Sequence, residues 1–444
     1  MKEVYIFNPQ NDLALATGGI NYVAPPFAVQ MATDLAVLPA YIAKPDSLLI
    51  TDSDLDAQWL DHLNSTFALD VHAIKRSQLR GISDYRIMPW GWCLDLRRRL
   101  IKWGAGRDSV PSKDAIYYMR GLSHRRITVL IHLRLQELLG RQLCPIPVEL
   151  AVPDEVMAFA SSHRECYIKT PWSSSGRGIY HNTGKPTPEL ELWCRGALKR
   201  QGSVLCEEAL DKVMDFAVEF YSSQGKVKTR GYSIFTTDAH SQYAHGDVAP
   251  SQVLKKRITE LYPQFDEVVA ATTQVLNELV APYYSGWLGV DMLLFNKKST
   301  ASNSPSKIDQ WCKPNAEACE NSPSKIEGVG GSMILRCSPL TLEEGVKGEY
   351  DIAQNRKHSL QIDPCVELNL RPTMGAITSV LGDTILALDT TASFVIEQRR
   401  STNDPWPKHT EPVIEDHRLR SGTLILTPPT PTALYRAILT AHTT

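Results

Sequence analysis

The sequence predicts an α/β protein, on three observations. Over the first hundred or so residues, short apolar runs alternate with stretches of helical spacing. In the middle of the chain, an apparent strand at 165–168 ends in Lys169 and runs into a loop of Ser and Gly. Further on, residues 365–372 place Glu367, Asn369 and Arg371 on alternate positions, as a strand does when one face carries chemistry.

Size and composition set the bounds. A chain of 444 residues holds two or three domains and a substantial core. Hydrophobic residues make up 43% and charged residues 22%, the balance of a soluble globular protein. A net charge of −2 and a pI near 6.6 give no overall field that draws in nucleic acid or an acidic membrane. Nine cysteines stand without a CxxC pair or a Cys/His ligand spacing. The expectation is reduced thiols in a cytoplasmic protein, with neither structural zinc nor a disulfide framework. Residues 1–7 turn polar too soon for a signal peptide, and no apolar run reaches bilayer length.

Taken in order, residues 4–7 form an apolar strand closed by Asn8-Pro9. A helix over 28–38, a strand at 47–51, a helix over 55–63 and a third strand at 68–72 complete an N-terminal α/β domain, residues 1–110. Asn8, Asn11 and Asp12 follow the first strand, where open α/β sheets place ligand contacts; turn formation is the other reading. Residues 89–106, with Trp90, Trp92 and Trp103, read as a helix packed on that domain. Residues 112–139 are mostly helical, and Ser123-His124-Arg125-Arg126 within them offers a cation at a helix start. A helix over 188–200 precedes a strand at 203–206 that runs into Glu207-Glu208-Ala209-Leu210. Residues 215–221 alternate as a strand, 229–236 continue an antiparallel pattern, and 263–279 form an amphipathic helix. Asp291 is an acid inside the apolar strand 286–295. Residues 299–331 shift to Ser, Asn, Pro and Lys, and the hexapeptide at 303–308 recurs at 321–326; this reads as a flexible insertion between two strands. A strand at 423–426 and a helix at 432–441 make up a C-terminal segment, 401–444.

Two stretches point to chemistry. Lysine offers a point charge, and serine hydroxyls with free backbone N–H groups offer donors without bulk, so Lys169 followed by the 173–178 loop suits phosphates. Gly176 and Gly178 let the backbone come close to a ligand, and Arg177 between them is placed to meet a transferring phosphoryl group. Because the lysine precedes the glycines, this is not a Walker A loop. A solvent-exposed serine-rich loop remains the alternative. On the second stretch, Glu367 and Asn369 are oxygen ligands of the kind Mg²⁺ takes, and Asp291 supplies another acid from a nearby strand. The alternative there is the polar side of an edge strand.

In this order and spacing, Lys169 with the 173–178 loop, residues 205–210, Asp215, Gly289-Val290-Asp291 and residues 367–372 resemble the ATP-grasp superfamily. The resemblance implies an ATP-grasp domain of two α+β lobes over 111–400, preceded by the small α/β domain. It further implies that Lys169 contacts the α/β phosphates and that Ser173, Ser174, Ser175, Gly176 and Gly178 close over the γ-phosphate. Glu207, Glu208, Ala209 and Leu210 would meet the adenine, and Asp215 a ribose hydroxyl. Asp291, Glu367 and Asn369 would hold one or two Mg²⁺ ions, with Mn²⁺ as substitute. Arg371 would steady a phosphorylated intermediate, and Arg125 or Arg126 would stand where the superfamily usually has an upstream lysine. The implied activity is an ATP-dependent ligase joining a carboxylate to an amine, with no nucleic-acid or membrane partner. A small-molecule kinase, or an ATP-binding regulatory protein without turnover, are the alternatives.

Overall fold

The computed structural model describes residues 2–173, 176–238, 243–297 and 360–442. The predicted insertion at 299–331 lies outside them, as do Ser174 and Ser175. Four parallel strands, β1 (Lys2–Ile6), β2 (Ser47–Ile50), β3 (Val71–Ile74) and β4 (Tyr85–Pro89), form the first sheet in the order β3-β2-β1-β4. Helices α1 (Asn11–Thr17), α2 (Pro26–Asp34), α3 (Asp54–Phe67) and α4 (Leu94–Trp103) accompany it. The third strand begins at Val71, three residues later than the expected 68, because α3 runs to Phe67 and Ala68 closes it in the left-handed conformation at φ 53°.

Residues 112–139 divide into two helices, α5 (Lys113–Leu122) and α6 (Arg126–Leu139). Tertiary bonds hold the break open: the Arg125 backbone N–H donates to Pro171 O at 3.1 Å instead of continuing the first helix. The second sheet is antiparallel: β5 (Val148–Leu150), β6 (Glu165–Lys169), β7 (Ile179–Thr183) and β8 (Val204–Glu208) in the order β5-β8-β6-β7. Helices α7 (Pro153–Ser162) and α8 (Pro188–Gln201) back it, burying Val156, Ile168, Cys194 and Cys206.

The third sheet has nine antiparallel strands, in the order β13-β12-β9-β10-β11-β14-β17-β16-β15. They are β9 (Asp211–Ser223), β10 (Lys226–Thr237), β11 (Tyr243–Val248), β12 (Gly286–Asn296), β13 (Leu360–Asn369), β14 (Thr391–Gln398), β15 (Val413–Glu415), β16 (Arg418–Ile425) and β17 (Tyr435–His442). Its helices are α9 (Ser251–Leu261), α10 (Phe265–Leu279) and α11 (Met374–Thr384). Strand alternation sorts its faces. Phe216, Val218, Phe220, Val290 and Met292 pack with α6 and α10 in one core. Tyr221 and Trp287 point the other way, into a core shared with α11 and the N-terminal domain. On that second face lie Asp215, Glu219 and Asp291, two or four residues apart along their strands.

The helix expected over 432–441 is instead strand β17, paired with β14 on one side and β16 on the other. Both of its faces are covered, so Tyr435 to Leu439 are all buried and the run shows no period of two. Packing around α11 is equally close. A Cβ at Gly382 would lie 2.1 Å from the backbone oxygen of Ala249. Gly382→Ala is therefore expected to destabilise the fold by about 1–3 kcal/mol, read from the urea midpoint. Among the described residues, no helix is long and apolar enough to cross a membrane.

Candidate active site

The acidic half of the site is a sheet surface. Asp291 on β12 stands opposite Glu367 on β13 and Ala217 on β9, while Gly289 stands opposite Asn369 and Glu219. Cross-strand neighbours at this spacing interact directly, and like charges there repel. Burial first, and then the Glu367 charge, push the Asp291 carboxyl up to about 7; Asn369 Nδ2 donates to it at 3.3 Å. Two facing acids, with the Asp291 carboxyl held above its ordinary range, and an amide oxygen form a donor set that fits a hard divalent cation.

The basic half comes from the small sheet and the start of α6. Lys169, at the end of β6, is buried and its ammonium pairs with Glu207 on β8. The loop after it is closed at its base by Thr170 N–H donating to Gly178 O at 2.8 Å. Gly178 sits at φ 84°, and a Cβ there would fall 2.3 Å from Thr170 Oγ1, so only glycine fits. Gly176 is also left-handed, at φ 71°. Arg125 joins the two halves. Its Nη1 donates to Thr170 O at 2.7 Å and Ser173 Oγ at 2.8 Å, and its Nη2 donates to Glu367 Oε1 at 2.9 Å. Arg126 turns away to Glu149 at 2.7 Å, so of the two arginines Arg125 is the one held at the loop. His124 beside them packs edge-on against Trp172; burial, then the charges of Arg126, Arg120 and Arg125, push its pKa down to about 3, which keeps it neutral.

The N-terminal domain closes the third side. Arg371 meets Asp12 at the start of α1, with Nη2 to Oδ2 at 2.8 Å and Nε to Oδ2 at 3.0 Å. Asp12, Trp172, Ser173, Glu367, Asn369 and Arg371 line one cleft with about 360 Å³ of empty space. The charges of Glu367 and Asp291 also reach Arg371.

Other expected residues have different neighbours. Arg177 lies with its guanidinium 3.9 Å from the ring centre of Phe27, against α2 rather than among the acids. Asp215 accepts from Lys212 Nζ at 2.6 Å, though its charge still reaches Asp291. Glu207, expected at the adenine, is the partner of Lys169. Glu208 ends β8, and Ala209 N–H donates to Glu165 O at 3.1 Å just before Leu210. Glu219 escaped the sequence reading. It is fully buried, accepts from Thr373 Oγ1 at 2.8 Å, and leaves Oε2 without a partner among the described residues. Burial first, with the Asp291 charge adding to it against the Thr373 bond, pushes its carboxyl up to about 8. Its position four residues after Asp215 on an alternating strand was the available signal.

If Arg125 anchors the loop as this geometry indicates, Arg125→Lys keeps the charge but loses the fork that reaches three partners. The expected result is faster proteolytic cutting in the loop after Thr170 with the fold retained, measured by limited proteolysis and thermal unfolding.

No family model matches the sequence, and no curated protein matches it either. Among solved structures, the chain is similar to biotin carboxylase from Campylobacter jejuni in complex with a β,γ-ATP analogue, at 10% identity and a TM-score of 0.47, covering 99% of this chain and 87% of that one. It is also similar to the biotin carboxylase domain of 2-oxoglutarate carboxylase from Hydrogenobacter thermophilus with MgADP, ADP and bicarbonate, at 12% identity and a TM-score of 0.43, covering 99% and 86%. A third is N5-carboxyaminoimidazole synthetase from Staphylococcus aureus with ADP, at 10% identity and a TM-score of 0.39, covering 89% and 82%. All three likenesses rest on identities of 10–12% and TM-scores of 0.39–0.47.

Proposed function

We propose that the protein is an ATP- and Mg²⁺-dependent ligase of the ATP-grasp type that joins a small-molecule carboxylate to an amine through an acylphosphate. The observation that supports this most is Arg125, a single buried guanidinium tying the Ser173 loop to Glu367 on the acidic face. In this reading Lys169 exchanges Glu207 for the α/β phosphates, and the loop from Ser173 to Gly178 covers the γ-phosphate. The hinge from Glu207 to Leu210 receives the adenine, and Asp215 takes a ribose hydroxyl. Asp291, Glu367 and Asn369 would hold Mg²⁺, which when bound would supply positive charge to offset that of the phosphates.

The chemistry follows from charge. A carboxylate and ATP repel each other, so Lys169, Arg125 and Arg371 lower the cost of bringing them together in line. The carboxylate oxygen attacks the γ-phosphorus and ADP departs. Arg371 steadies the acylphosphate, and the amine nitrogen then displaces phosphate and loses a proton to give the amide. The test is ADP and phosphate release by the purified protein against panels of acids and amines. Release of both that requires an acid and an amine together supports the ligase. A stable phosphorylated product without free phosphate would assign a kinase, and ATP binding without ADP formation across the panels would assign a regulatory binder.

A further inference from the structure

A second cluster of ligating atoms lies behind the acidic face, on α6, on the loop before β5 and on β13. His132, Cys144 and Asp363 are all buried, and one ligand atom from each lies within 4.8 Å of the others. The imidazole is fixed in orientation: His132 Nδ1 contacts Thr128 O, one helical turn back, at 2.6 Å. A carbonyl only accepts, so Nδ1 carries the hydrogen and Nε2 is the nitrogen turned to the cluster. Nε2 faces Asp363 Oδ1 at 3.0 Å. A neutral imidazole would then set a lone pair against a carboxylate, two acceptors in contact, unless a proton or a cation lies between them. The same oxygen, Asp363 Oδ1, also accepts from Cys365 N–H at 3.0 Å. An outer bond such as the one at His132 Nδ1 is what ligating histidines commonly carry. A small hollow lined by Gln136 and Gln142 besides His132 and Cys144 adjoins the cluster.

We propose that His132 Nε2, Cys144 Sγ and a carboxylate oxygen of Asp363 form a site for one thiophilic divalent cation of the Zn²⁺ class, distinct from the oxygen-only face of Asp291, Glu367 and Asn369. Nitrogen and sulfur select such an ion over Mg²⁺. Charge balances in both states. Without metal, imidazolium, carboxylate and thiol sum to zero. With Zn²⁺, neutral imidazole, carboxylate and thiolate also sum to zero, and two protons leave to solvent. β13 bends to allow this: Leu293 pairs with Asp363 and Asp291 with Glu367, so two steps on β12 span four on β13, around Pro364. The ion would clamp the loop entering the small sheet to the edge strand of the large one, and so brace the two lobes against each other. The sequence spacing gave no hint, because the three ligands are separated by 12 and 219 residues (144 − 132 and 363 − 144).

The test uses the full chain stripped with a chelator and titrated with Co²⁺, then with Zn²⁺. The expected result is a thiolate-to-cobalt charge-transfer band that saturates at one equivalent and is displaced by Zn²⁺. Cys144→Ser should abolish the band, while Cys365→Ser keeps it, with near-UV circular dichroism confirming that both variants are folded. Should Cys144→Ser fail to fold, proton release by the wild-type chain decides: two protons per Zn²⁺ in weak buffer support the site. No thiolate band, a band that survives Cys144→Ser, or Zn²⁺ uptake without proton release would each overturn the assignment.

Discussion

Replacing Glu367 by glutamine is expected to lower kcat by a factor on the order of 10²–10³ while the protein stays folded. Glu367 has two tasks in the proposed mechanism. It is one of the acids facing the cation, and it accepts Arg125 Nη2 at 2.9 Å. An amide at this position still accepts from the arginine through its oxygen, so the loop anchor survives, but the charge that would hold Mg²⁺ in that mechanism is gone. The variant also removes the like charge opposite Asp291, so that carboxyl, pushed up to about 7 in the wild type, should titrate lower. Steady-state kinetics over a Mg²⁺ series separates the outcomes. Activity that recovers at high Mg²⁺ indicates a lost ligand, and wild-type kinetics would exclude Glu367 from the cation site.

Glu219→Gln is expected to stabilise the protein at alkaline pH by about 2–4 kcal/mol and to change little at acid pH. In the folded chain Glu219 is pushed up to about 8 and Asp291 to about 7, in each case first by burial. The folded state therefore holds protons that the unfolded chain releases near pH 4. The contribution of these two groups to stability is greatest below that range, falls as pH rises through about 7 and 8, and is level above. Glutamine keeps the shape and the acceptor for Thr373 Oγ1 but cannot ionise. Urea unfolding of both proteins at about pH 5 and about pH 9 checks this. An equal difference at both values would show that ionisation of Glu219 is not what costs the wild type its stability.

What the sequence reveals here divides along physical lines. The strand carrying Glu367 and Asn369 was legible because alternation is a local rule that β13 obeys there, but β13 ends at Asn369, so Arg371, expected on the same strand, lies in the bend beyond it. The strand before Lys169 was legible for the same reason. β17 was misread because a strand buried on both sides loses the alternation that marks it. Helix α11 carried no cue strong enough to place it, since its Ala, Thr, Ser and Gly residues favour no element clearly. Pairings between distant residues were out of reach. Nothing near Asp12 signals Arg371, 359 residues later, and nothing near Lys169 signals that its partner is Glu207. Arg177 shows the opposite failure: its place between two glycines pointed to phosphate, yet the ring of Phe27 is what it meets.

The core that joins the N-terminal domain to β14, β16 and β17 bears on how the chain acquires its shape. Tyr41 donates its hydroxyl to Leu426 O at 2.8 Å, and Asp34 accepts the backbone N–H of Leu434 at 2.8 Å, across 385 and 400 residues. A ribosome delivers the first partner of each pair long before the second. Until the last strands emerge, Leu38, Tyr41 and Ile42 have no finished surface to pack against. Packing of the first domain is therefore completed only after β17 has been made, which leaves this apolar surface open during synthesis.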